Sequence, residues 1–323
     1  MTGTIVVTGA AGFIGRNIVA ELNRHGTSDV ILVDSLGDTE KWRNLVDLRF
    51  EDIISPEDLW DWLAGGRSPV SAIIHMGACS STTERDADFL IRNNYRYTRR
   101  LCEWALAHDS RFVYASSAAT YGDGSCGFSD EDQVTEHLAP LNMYGYSKHV
   151  FDLWALRNRL FDRIVGLKYF NVFGPYEDHK GDMRSVVSKA YDEILRTGKL
   201  SLFKSHREGI ADGEQRRDFI FVADAVDVTL HFLGEGSASG LLNCGTGVAR
   251  TWLDLGHAVF ASLGRAPNIE FVDMPAHLRE KYQYFTQAAT TKLRTAGYAG
   301  TFHTLEEGVD EYVRGYLTKR GGQ

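Results

Sequence analysis

Residues 8–17 read TGAAGFIGRN and follow directly on the apolar run TIVVT at 4–8. Gly9, Gly12 and Gly15 fall in the pattern G-x-x-G-x-x-G, and Ile14, Ile18 and Leu22 then recur at helical spacing. A strand, a turn of small residues and a helix, in that order, make a phosphate-binding corner. The small residues let the backbone approach a pyrophosphate, whose charge then sits at the helix N-terminus. A glycine pattern alone could mark a tight turn with no ligand. Here Asp34 closes the next apolar run, DVILVD, at the spacing from which a carboxylate contacts an adenine ribose. Asp34 favours NAD, because a carboxylate repels a 2′-phosphate. Lys41 and Arg43 follow closely enough to reach such a phosphate, so these residues leave NAD and NADP both open.

That corner constrains what can follow. Further short apolar runs at 71–75 (SAIIH) and 111–117 (RFVYASS) predict strands, and the stretches Ala87–Ala107 and Met143–Leu160 predict helices between and after them. Strand and helix in alternation predict an α/β fold of Rossmann type, a doubly wound parallel sheet with helices on both faces. After about Phe170 the rhythm changes. Turn residues and charges cluster in GPYEDHKGD (174–182) and SHREGIADGEQRRD (205–218). This predicts a dinucleotide-binding domain over 1–170, with 217–247 returning to it, and a smaller, loop-rich α/β substrate region over 171–323.

With 323 residues, 43% of them hydrophobic and 24% charged, the chain can bury a substantial core. The formal net charge of −8 offers no basic field for nucleic acid. Cys79, Cys102, Cys126 and Cys244 lack C-x-x-C or metal-ligand spacing, so no metal is expected and free thiols in a reducing compartment are the simple account. The N-terminus carries no basic leader, and no apolar run is long enough for a bilayer. The expectation is a cytoplasmic protein without a membrane partner.

Residues 144–148, YGYSK, place Tyr144 four residues before Lys148, on one helical face; Tyr146 is followed at that spacing by Val150. The pair is therefore Tyr144 and Lys148. A free tyrosine titrates near ~10. An ammonium at ~5 Å in an effective dielectric near ~20 favours the phenolate by about 3 kcal/mol, roughly 2 pK units. Tyr144 would then be poised to take a hydroxyl proton as hydride leaves the same carbon. Ser116 and Ser117 end the preceding strand, and Ser117 is the choice for a hydrogen bond to the same substrate oxygen. A lone Y-x-x-x-K is most often a core aromatic beside a snorkelling lysine; the glycine loop upstream changes that balance.

TGAAGFIG, the strand-end serines, YGYSK and the NVFGP that follows Tyr169-Phe170 run in the order of the extended short-chain dehydrogenase/reductases that modify nucleotide sugars, which the chain resembles over essentially its whole length. Nucleotide-sugar 4,6-dehydratases of that group carry an Asp-Glu pair where this chain has Ala118 and Ala119, so elimination is not expected. The stretches HMGACSSTTE (75–84), YASSAATYG (114–122), PLNMYGYSK (140–148), GPYEDHKGDM (174–183), ADGEQRRDFIFV (211–222) and YQYFTQA (282–288) resemble the ADP-L-glycero-D-manno-heptose 6-epimerases.

The resemblance implies NADP as cofactor, with NAD the alternative. It implies a cofactor site lined by Phe13, Ile14, Asp34, Ser35, Lys41, Met76, Gly77, Ala78, Cys79, Ser80, Asn93, Lys148 and Val172, beside the glycines. It also implies substrate contacts from Ser117, Asn171, Asp182, Lys189, Phe203, Ser205, Arg217 and Tyr282. A guanidinium at Arg217 suits a diphosphate. Asp182 and Lys189 stand where some members have serine and histidine, and the loop SHREGIADGEQ is longer than in some.

Lys180, in H-K-G, is implied as a second acid/base beside Tyr144, and the chemistry needs one. Inverting a carbon by transient oxidation gives a planar ketone that must turn its other side to the cofactor. Its oxygen then points away from the group that first took its proton. In isolation Lys180 would be a surface lysine. The expected activity is epimerisation of ADP-D-glycero-D-manno-heptose at carbon six through a 6-keto intermediate, for lipopolysaccharide inner-core synthesis, by a homo-oligomer acting on this small-molecule substrate. The alternatives are a nucleotide-sugar 4-epimerase or keto-reductase of the same fold, or a non-catalytic dinucleotide-binding redox sensor.

Overall fold

Every position of strand β1 (Thr4–Thr8) is buried. Its side chains alternate, with Ile5 and Val7 entering one core and Val6 another. An apolar run with period two and no polar face needs a core on each side, and a central parallel strand supplies that. In the computed structural model, which describes residues 3–66, 69–234, 236–279 and 282–320, β1 lies inside a seven-stranded sheet.

Its companions are β2 (Val30–Val33), β3 (Asp52–Ile54), β4 (Val70–His75), β5 (Arg111–Ser117), β6 (Val165–Tyr169) and, after β7 (Asn171–Phe173), β8 (Leu200–Phe203) and β9 (Arg216–Phe221), the late strand β10 (Gly240–Cys244). The order is β10-β6-β5-β4-β1-β2-β3, parallel throughout. Thr8 pairs with Val33 and His75, and Ser117 with Tyr169, so these strand ends share one edge. Strand order reverses between β1 and β4, which opens a crevice at that edge. The α/β Rossmann-type fold read from the sequence is the fold found. Two small sheets complete it: β9 joins β7 and β11 (Ala249–Thr251), and β8 joins β12 (Ile269–Val272).

The helix expected over 87–107 is present but not uniform. Ala87–Leu90 and Tyr97–Ala107 are α-helical, and Ile91–Arg96 between them is a π turn. π turns insert an extra residue and recur near functional sites; this one buries Asn94. The helix carrying YGYSK spans Met143–Arg157, shorter than the expected Met143–Leu160. Arg159 takes a left-handed backbone (φ 53°), which ends the helix, and a 3₁₀ turn follows at Leu160–Asp162. Its start is set by Asn142, whose side chain accepts from Gly145 N at 2.8 Å. Among the described residues no helix is long and apolar enough to cross a membrane.

A wholly buried ion pair ties this helix to the sheet. Lys168 Nζ of β6 lies 2.9 Å from Asp152 Oδ2, and both side chains are fully enclosed. Asp152 also accepts from Tyr114 OH and Ser116 Oγ of β5, each at 2.7 Å, while Lys168 donates to Thr120 Oγ1 at 2.7 Å. Such a pair adds little net stability over an apolar core, but removing one member strands a buried charge at a cost of about 3–5 kcal/mol. Lys168→Met should therefore lower the unfolding free energy by about 3–5 kcal/mol in urea titrations. A loss below ~1 kcal/mol would show that the pair does not brace the helix.

Candidate active site

The crevice is a cavity of about 460 Å³ between the glycine loop, the ends of β4 and β5, the YGYSK helix and the segment 179–183. At the glycine loop the backbone leaves no room for side chains. A Cβ on Gly9 (φ +67°) would stand 2.6 Å from Gly77 N, and one on Gly15 would stand 2.1 Å from Gly9 O. The helix can thus start against the turn, with its N-terminus open to the cavity, which is the cradle a pyrophosphate requires. Asp34, at the end of β2, accepts from Ala11 N at 2.8 Å through Oδ2 and from Lys41 Nζ at 2.6 Å through Oδ1. Lys41 is therefore no free surface lysine.

Most residues expected at a dinucleotide line this space: Gly9, Gly12, Phe13, Ile14, Gly15, Asp34, Lys41, Met76, Gly77, Ala78, Ser80, Lys148 and Val172. Ser35, Cys79 and Asn93 are not on its wall. Cys79 is held from behind, its N donating to Asn94 Oδ1 and its O accepting from Asn94 Nδ2, both at 2.9 Å. Asn94 also donates to Ser147 Oγ at 2.9 Å, so this buried amide links the 76–80 loop to the YGYSK helix. Asn93 donates to Asn94 Oδ1 at 3.0 Å. Beneath them His75 bridges Thr8 Oγ1 (2.6 Å) and Thr98 Oγ1 (2.8 Å). Burial, with the Lys148 charge, pushes His75 down to about 3, so it stays a neutral strut.

Tyr144, Lys148, Ser117 and Lys180 all open on the same cavity. The two serines divide their work. Ser116 is buried and spends its hydroxyl on Asp152, whereas Ser117 accepts from Ala119 N at 3.1 Å and lines the cavity beside Tyr144. Lys148 Nζ donates to Ala115 O at 2.7 Å. The expected depression of the Tyr144 pKa is not found. Burial raises it, and the Ser117 hydroxyl only opposes that. Burial lowers Lys148 to about 8, with Asp152 pulling the other way.

Lys180 sits in a 3₁₀ segment, Asp178–Met183, with Nζ 5.2 Å from the Phe13 ring centre. Burial depresses its pKa; Glu177 raises it and Lys189 lowers it. The segment is fastened from two sides. Arg16 stacks on Tyr176 at 3.4 Å, and Asn17 donates to Pro175 O at 3.1 Å. On the other flank the buried Glu177 accepts from Ser185 and, at 3.0 Å, from Tyr312 OH, while Tyr316 OH reaches Asp178 at 2.7 Å.

A second, adjoining cavity of about 270 Å³ shares Phe170, Val172, Lys180 and Met183 with the first. Asn171 opens on it, as does Trp252, which the sequence reading passed over. Trp252 Nε1 donates to Tyr282 OH at 2.8 Å, and the buried Arg217 guanidinium lies 5.0 Å from Tyr282 and 5.7 Å from Trp252 ring centres. Phe203 and Ser205 stand nearby in sequence and bonding: Gln215 Nε2 donates to Phe203 O at 3.3 Å, and Ser205 N to Asp212 at 2.7 Å. Lys189 and Asp182 are exposed. Thr39, Tyr169, His179 and Met183 also line the first cavity and were not read from the sequence.

Residues 5–245 match the family model described as the NAD dependent epimerase/dehydratase family. The chain belongs to that family. It is 54% identical over 97% of each chain to the ADP-L-glycero-D-manno-heptose-6-epimerase of Nitratidesulfovibrio vulgaris strain DP4. It is 44% identical over 98% of each to the enzyme of that name from Fusobacterium nucleatum. Among solved structures, the Helicobacter pylori ADP-L-glycero-D-manno-heptose-6-epimerase is similar, with a TM-score of 0.81 and 26% identity over 97% of this chain and 95% of that one. This membership accounts for the nicotinamide-dinucleotide character of the glycine-loop crevice.

The Lys148 environment makes a signed prediction. Its pKa falls on folding from the ordinary lysine value to about 8. Above that value the unfolded chain binds more protons than the folded one, so this group's contribution to stability rises with pH from about 8 to ~10.4. Relative to Lys148→Met, the parent should gain stability between pH 8 and 10 in urea titrations. A constant difference across that range would show that Lys148 is not depressed by burial.

Proposed function

We propose that the protein interconverts ADP-D-glycero-D-manno-heptose and ADP-L-glycero-D-manno-heptose by transient oxidation at carbon six. One observation supports this above the relatives' names: the glycine-loop cavity is walled by two separate proton-handling groups, Tyr144 and Lys180. A single carrier suffices for simple oxidation. Inversion needs two, because the oxygen of the turned ketone points elsewhere.

In this reading NADP, when bound in the glycine-loop cavity, would supply the hydride chemistry at carbon six. Gly9, Gly12, Gly15, Asp34, Lys41 and the 76–80 loop hold it. Lys41 favours NADP over NAD, since its ion pair neutralises the Asp34 carboxylate that would repel a 2′-phosphate. Ser117 positions the carbon-six oxygen beside Tyr144. Tyr144 and Lys180 each act as base in one direction and acid in the other. Their surroundings push them apart, Tyr144 up and Lys180 down, toward a phenol that can give a proton and an amine that can take one. Arg217, Tyr282 and Trp252 form the aromatic and cationic wall where the ADP moiety would rest.

Run in deuterated water with ADP-D-glycero-D-manno-heptose, the enzyme should return product that keeps its carbon-six hydrogen. Extensive exchange at that carbon would overturn direct oxidation. Lys180→Met should slow epimerisation by about 100-fold or more while dinucleotide binding, followed by fluorescence, persists. Near-parental turnover would take Lys180 out of the role.

A further inference from the structure

His179 immediately precedes Lys180, and it faces the opposite end of the cavity's chemistry. It lines the same space as Asp34, Thr39 and Lys41, the residues at the end of β2 and just beyond it. Its Nδ1 lies 3.1 Å from Asn44 Nδ2. That amide nitrogen is a donor, since it also donates to Ala11 O at 2.9 Å and reaches Tyr176 O at 3.5 Å. Nδ1 must therefore accept. An imidazole whose Nδ1 accepts carries its hydrogen on Nε2 when neutral. Among the described residues no protein group accepts from that Nε2–H. The ring lines the cavity with its Nδ1 fixed by Asn44 and its Nε2–H unspent on those residues. Asn44 is itself buried and anchored to the glycine loop through Ala11, so the donor is held in register with that loop.

The charges around it agree on what it should meet. Lys41 and Lys180 are the basic groups near the ring and Asp34 and Asp178 the acidic ones, with Asp34 already paired to Lys41. Burial and the two lysines hold the imidazole well below its ordinary range, at about 4, so it is neutral at physiological pH. A neutral N–H donor beside Lys41 complements an anion that needs a directed hydrogen bond as well as charge.

We propose that His179 is a cofactor-binding residue whose Nε2–H donates to a phosphate oxygen of the dinucleotide, so that cofactor and the Lys180 segment are joined by one side chain. The inference rests on the dinucleotide reading of the cavity and goes beyond it. Because His179 and Lys180 are neighbours in one 3₁₀ segment, a phosphate seated on the imidazole also sets where the amine stands.

The test is titration of NADPH and NADH into the full-length protein, read by nicotinamide fluorescence and independent of turnover. His179→Phe keeps the ring's bulk and removes the donor; His179→Ala removes both, and His179→Gln restores an acceptor for Asn44 and a donor for phosphate. The expected result is a Kd about tenfold or more weaker for H179F and H179A, with H179Q within about threefold of the parent. Weakening toward NADPH alone would place the bond on the 2′-phosphate, and equal weakening toward both on the pyrophosphate; either supports the proposal. If the parent binds dinucleotide and H179A or H179F binds it within twofold as tightly, the proposal is overturned while the cofactor reading stands. If the parent itself binds neither dinucleotide, the reading and the proposal fall together.

Discussion

The Asp152 carboxylate, fully enclosed and shared among Tyr114, Ser116 and Lys168, is the constraint on which the site's geometry depends. A charge taken out of water must find every partner inside the protein. Here those partners come from two adjacent strands, while the carboxylate itself comes from the helix bearing Tyr144 and Lys148. Satisfying it sets the rotation and height of that helix against the ends of β5 and β6. Alternation along β5 does the rest: Tyr114 and Ser116 turn to Asp152, so Ser117, the next residue, turns to Tyr144 and the cavity.

The opposite wall is built by a different means. The segment carrying Lys180 has little regular structure of its own, and it is pinned between the helix Phe13–Arg24, through Arg16 and Asn17, and the consecutive helical turns over 305–320, through Tyr312, Tyr316 and Arg320. The buried Glu177 sits at the junction of the two attachments. A loop held at both flanks can keep an amine in a partly dehydrated position that a free loop would surrender to solvent. Separate anchoring also explains how two proton-handling groups face one cavity from elements far apart in the chain.

Much of this was legible in the residues. TIVVT had no polar face, the glycines stood where a Cβ would strike backbone, and Tyr144 and Lys148 shared a helical face. Each is a short-range regularity, governed by neighbours within a turn or two. The Tyr144 pKa departs from the expectation for a physical reason: the spacing supplies a nearby ammonium but says nothing of how far folding desolvates the phenol. His179 and Trp252 were passed over because each looks ordinary in its own segment, and their partners Asn44 and Tyr282 lie 135 and 30 residues away.

The amino-acid order by itself thus determined the parallel sheet, the phosphate-binding corner and the identity of the tyrosine–lysine pair, since local sterics and periodicity dictate those. Only the folded chain decided that Ser116 spends its hydroxyl on Asp152, that Lys180 reaches the same space as Tyr144, and which protonation states burial favours. Those depend on desolvation and on contacts between distant segments, and neither has a signature in any short run of residues.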